Sequence, residues 1–76
     1  MPKILPTDWR TQVKIFEKFG CRYLQQKGSH LIYDHPDAKR EIVIPRSDLI
    51  PVPVIRHNMR TANMNRAAYF QLLTEV

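Results

Sequence analysis

His30 is the residue of this chain best placed to move a proton. It follows Gly28 and Ser29 in the run Gln25-Gln26-Lys27-Gly28-Ser29-His30-Leu31-Ile32-Tyr33, where a glycine turn gives way to a strand-like segment. An imidazole titrates near neutrality, so a histidine held rigidly at the start of a strand and open to solvent can work as a general acid or base. Cleaving RNA without a metal needs a base for the 2′-hydroxyl, an acid for the leaving oxygen and a cation for the phosphorane. His30 can supply either proton step. Lys27 on the same turn, or an arginine from later in the chain, can answer the charge. On spacing alone, the plainer role of a surface histidine that closes a hairpin through a hydrogen bond comes first.

The remaining chemistry is sparser. His35 precedes Pro36, which biases it toward an extended or turn conformation; it is the candidate for an assisting proton-transfer group, or else a solvated loop residue. His57 falls on the polar side of a predicted helix and reads as part of a basic face. No metal site is expected, because the three histidines lack short ligand spacing and Cys21 has no cysteine partner. Ser29 and His30 do not form a nucleophilic pair, since adjacent strand residues point to opposite faces. Ser29 instead shapes the turn. With only Gly20 and Gly28, the chain has no glycine-rich phosphate loop.

Charge narrows the partners. Twelve Lys and Arg stand against seven Asp and Glu, a net +5, and no acidic residue lies between Leu49 and Thr74, where Arg56, Arg60 and Arg66 occur. A one-sided stretch of this kind draws phosphate polyanions or an acidic protein. The 76 residues are read as one domain, 1–76, near the lower size at which a chain folds alone. An apolar fraction of 43% argues against disorder. No apolar run reaches the roughly 18 residues of a membrane span and no signal-peptide core is visible, so no membrane association is expected. A single cysteine fits a reduced, cytoplasmic chain.

The elements that must position these residues follow from periodicity. Thr7 or Asp8 can cap a first helix that Gly20 stops, with Trp9, Val13, Phe16 and Phe19 as its apolar stripe and Ile15 at the edge. Trp9 reads as a packing residue. Cys21–Gln26, His30–His35 and Glu41–Ile44 read as three strands; connections this short make them antiparallel. Pro45 ends the third. Pro53 suits the first position of a second helix, with Ile55, Met59 and Ala62 inward and Arg56 and Arg60 one turn apart on a basic edge. Asn65 can cap a last helix, Met64 and Tyr69 stand at staple spacing across that cap, and Phe70, Leu72 and Leu73 are expected on its buried side. The expected class is α+β, in the order α-β-β-β-α(α), with helices over one face of a three-stranded antiparallel sheet and the other face open. That layout is double-stranded-RNA-binding-domain-like.

The stretch from Val13 to Gly20, then Tyr23, then Gln26-Lys27-Gly28-Ser29-His30-Leu31-Ile32-Tyr33-Asp34-His35-Pro36, resembles the HicA family of bacterial toxins. So do Ile50-Pro51-Val52-Pro53-Val54-Ile55-Arg56, Thr61-Ala62-Asn63-Met64 and Phe70–Leu73. The resemblance implies a metal-independent endoribonuclease (an mRNA interferase) that uses no cofactor. His30, in its Gly-Ser-His, is then the catalytic histidine, and a HicB-like antitoxin masks the site. Lys27, Gly28 and Ser29 would shape the turn or meet RNA, and Arg56 and Arg60 would hold its phosphates. Many relatives carry a second histidine just after the third-strand proline, where this chain has Pro45-Arg46. The aromatic that often follows the helix-ending glycine is Cys21 here, and the glycine common in the next loop is missing from Arg46–Ile50. Two other readings are a non-catalytic RNA-binding domain, whose affinity survives loss of His30, and a basic module that binds only an acidic protein.

Overall fold

A computed structural model describes residues 3–76. Its order is α1 (Trp9–Lys18), β1 (Arg22–Lys27), β2 (His30–Asp34), β3 (Ile42–Pro45), α2 (Val52–Thr61) and α3 (Arg66–Glu75). The strands form one antiparallel sheet in the order β1-β2-β3. This is the expected α+β, double-stranded-RNA-binding-like arrangement, with two helices after the sheet.

Local chemistry sets the boundaries. α1 ends in a Schellman motif: the Gly20 N–H donates to Glu17 O at 3.0 Å and the Cys21 N–H to Phe16 O at 3.0 Å. Gly20 carries φ +109, which a side chain would resist. α2 stops in the same way, with Asn63 at φ +59 and the Met64 N–H on Met59 O at 2.8 Å. Asn65 then caps α3 by accepting from the Ala68 N–H at 2.7 Å, and Met64 and Tyr69 on either side of that cap are both buried.

Four details differ from the periodicity reading. Asp8, one of the two expected caps, occupies the N-cap position of α1 but makes no capping bond to a main-chain N–H; its carboxylate accepts from the Thr11 hydroxyl instead. That bond, the largest cause, holds its pKa below the usual carboxylate value. The buried centre of α1 is Gln12, Ile15 and Phe16, with Trp9, Val13 and Phe19 only partly buried around it. Pro53 is the second residue of α2, after Val52. On α3 the buried residue is Tyr69, whereas Phe70, Leu72 and Leu73 pack at the margin of the core. Gln12 and Tyr69 account for much of this: Gln12 Nε2 donates to Tyr69 Oη at 3.0 Å and to Thr7 Oγ1 at 2.8 Å, drawing α1 and α3 together over a polar contact.

The sheet has two unlike faces. Leu31 and Tyr33 pair with Ile44 and Ile42, and these four join Ile15, Phe16, Ile55 and Met59 in the core. Burying one such aliphatic side chain contributes about 1.5–3 kcal/mol. His30 and Ile32 point the other way, opposite Pro45 and Val43. β1 is exposed along its whole length and carries a bulge at Leu24. β3 is the edge nearest α2, and Asn58 of α2 donates from Nδ2 to Val43 O at 2.9 Å. α2 therefore lies along that edge and shields it.

Candidate active site

His30 owes its position to the hairpin. Gly28 and Ser29 are the only residues between β1 and β2, and Gly28 carries φ +59 at the first of the two turn positions. A positive φ there alone is the pattern of a type II′ turn, whose twist suits the flanking strands. Gln26 Nε2 donates to Gly28 O at 2.8 Å, and the Arg46 N–H donates to Ser29 O at 2.7 Å. The turn is thus tied to its own strand and to the end of β3. Across the hairpin Lys27 pairs with His30, so the ammonium-bearing side chain shares the open face with the imidazole.

His30 is exposed and lines a groove of about 410 Å³ between the open face and α2. Val43 and Pro45 contribute from β3, Pro53, Val54, His57 and Asn58 from α2, and Glu41 brings a carboxylate. His57 is exposed on α2, as its polar position predicts. What periodicity did not show is that the seating of α2 on β3 also brings it to the same groove as His30. The available signal was its spacing from Pro53 and Val54, which puts all three on one side of the helix.

His57 also lines a second depression of about 460 Å³, which Lys39, Arg40 and Arg60 share with Asp37. Arg56 lies on the side of α2 away from the His30 groove, in a third hollow with Ile4, Met59 and Met64 that Arg60 also borders. The structure thus separates Arg56 from Arg60 with respect to the histidines.

His35 is not beside His30. It follows the far end of β2, about 16 Å along the strand at some 3.3 Å per residue. Its ring stacks on Phe19 with centroids 5.1 Å apart, and its Nδ1 accepts the Asp37 N–H at 3.0 Å. These contacts fix the loop between β2 and β3. Arg46 places its guanidinium 4.9 Å from the centre of the Trp9 ring, and Arg10 lies 4.7 Å from it. Cys21 is buried and its thiol is pushed up to about 11, chiefly by desolvation, with the Asp34 charge adding; it is no nucleophile. Among the described residues no group of three or more His, Cys, Asp or Glu is arranged to hold a metal ion.

A small α+β domain of the class with a helix, a three-stranded antiparallel sheet and two further helices, the protein carries a histidine fixed by a Gly-Ser turn on the sheet face away from the core, with basic groups nearby. Within that class the chain is placed by its match, over residues 9–64, to the family of HicA toxins of bacterial toxin–antitoxin systems. It belongs to this family, and so is the toxin member of such a pair. No curated protein and no solved structure matches it. Among the described residues no helix is long and apolar enough to cross a membrane.

Proposed function

We propose that this toxin is an endoribonuclease that cleaves messenger RNA, with His30 and His57 as its two proton-transfer groups. The observation that supports this most is that both imidazoles line one groove, with Lys27 beside His30. One imidazole takes the proton of a 2′-hydroxyl as the O2′–P bond forms. The other protonates the O5′ as the P–O5′ bond breaks. The products are a 2′,3′-cyclic phosphate and a free 5′-hydroxyl. The Lys27 ammonium offsets charge on the phosphorane oxygens. Gly28 and Ser29 hold the geometry of the turn. The groove is shallow and lined by Val43, Pro45 and Val54, so it reads the backbone and 2′-hydroxyl rather than a base sequence. His35 serves the fold of the loop and not the proton transfers. No cofactor takes part in these steps. A HicB-type antitoxin occupies the same open face and excludes RNA, in the cytoplasm where messenger RNA is translated.

The test is cleavage of a long single-stranded RNA in EDTA by the wild-type chain and by His30→Ala and His57→Ala, with the new termini analysed. Cleavage to cyclic phosphate ends by the wild type, and loss of most of it in each variant, supports the reading. RNA bound but never cut makes the chain a binding domain. Equal cleavage by His30→Ala removes His30 from the chemistry.

A further inference from the structure

The depression beside the groove has a ligand class written in its charges. Lys39 and Arg40 enter it from the loop between β2 and β3, and Arg60 from the last turn of α2. Asp37 is the carboxylate that shares it with them. The ion pairs found among the described residues join Lys18 to Glu75 and Arg22 to Asp34, so among those residues none of these three cations makes an ion pair. His57 lines both this depression and the His30 groove, so the two spaces adjoin at one side chain. Three unpaired cations gathered in a hollow repel one another, and an anion bound among them relieves that repulsion.

We propose that Lys39, Arg40 and Arg60 form a phosphate subsite that holds the RNA backbone on one side of the scissile bond. The inference rests on the ribonuclease reading for the bond that is cut, and on charge and contiguity for the subsite itself. The strand enters past Lys27, crosses the groove between His30 and His57, and continues over the three cations. Arg56, on the other side of α2, lies off this track.

The experiment measures binding of a labelled single-stranded oligouridylate across a salt series, in a His30→Ala background so that no cleavage intervenes. Lys39→Gln, Arg40→Gln and Arg60→Gln are made singly and together, with Lys14→Gln on the exposed side of α1 as the control. The expected result is a salt slope that falls by about 0.7 for each subsite cation removed and stays unchanged in the control. In the otherwise wild-type chain, the triple variant should lose cleavage of long RNA while still cutting a dinucleotide, which fills the His30 groove alone. Equal slopes for the triple variant and its parent overturn the subsite and leave these cations for an acidic protein partner. Loss of dinucleotide cleavage with intact thermal unfolding overturns it too, because the cations then belong to the chemistry. A chain that binds RNA with the expected slopes but never cuts it sinks the ribonuclease reading and leaves the subsite standing.

Discussion

The side-chain amide of Asn58 donates to the main-chain carbonyl of Val43 across 2.9 Å, and this bond fastens α2 to the edge of the sheet. Asn58 is almost fully buried, so the bond is made away from competing water. Its neighbour in sequence, His57, thereby reaches the groove that His30 enters from the sheet. Asn58→Ala leaves a part-buried carbonyl without its partner, which costs about 1–3 kcal/mol. Urea unfolding should show that loss, and RNA cleavage should fall further than the unfolded fraction accounts for. Full activity in the folded variant would mean that the seating of α2 does not matter to the site.

In the proposed cleavage His30 and His57 serve one reaction, and groups that act as a unit are not additive. The double variant His30→Ala/His57→Ala should therefore be no slower than the worse of the two single variants. A double variant whose defect equals the product of the single ones would show that His57 works on something other than the bond His30 helps to break.

His35 is expected to act through the loop it pins. His35→Ala removes the acceptor for the Asp37 N–H and the stack on Phe19. It should weaken binding of long RNA, because Lys39 and Arg40 follow directly, and leave dinucleotide cleavage close to the wild-type rate. Asn at this position can accept the same N–H in an Asx turn, so His35→Asn should recover most of the binding. Failure of that rescue, or loss of dinucleotide cleavage, would assign His35 another role.

Gly20 stands at φ +109, where a side chain is strained whatever room surrounds it. A Cβ there would make only ordinary contact with the His35 ring, at 3.5 Å from Nε2. Gly20→Ala should accordingly cost about 1–3 kcal/mol through backbone strain alone. The reading is a lower urea midpoint with an unchanged slope, since the folded state stays as compact.

Cys21 supplies a pH prediction with a definite sign. Its thiol ordinarily ionises near 9.0 and is raised to about 11 in the folded chain, first by burial and then by the Asp34 charge. A raised acid binds its proton more tightly when folded, so its contribution is fully present below pH 9.0 and is lost as the pH climbs through about 11. Cys21→Ala should flatten the alkaline fall in stability across that window. The native thiol should also resist alkylation at neutral pH and react promptly in denaturant; rapid labelling of the folded chain would contradict its burial.

Much of this protein is settled by contacts between near neighbours in sequence, which is why the chain alone reveals them. Gly20 stops α1, Gly28 turns the hairpin and Asn65 starts α3, each because a few adjacent residues satisfy one another's main-chain groups. The alternation along β2 likewise fixes His30 and Leu31 on opposite faces before any packing is known. The Gly-Ser-His turn and the basic tail could be read in the same way. Tertiary structure alone decided the rest. Tyr69 replaced Phe70 and the two leucines at the centre of α3 because Gln12, far away in sequence, offered its hydroxyl a buried partner. His57, on the basic side of α2, also borders the His30 groove because Asn58 bonds to the edge of β3. His35 is held in the loop after β2, away from His30, by its stack on the ring of Phe19. Periodicity gives the faces of each element; the rotation and seating of one element on another depend on long-range bonds and burial, and these decided which histidine shares a groove with His30.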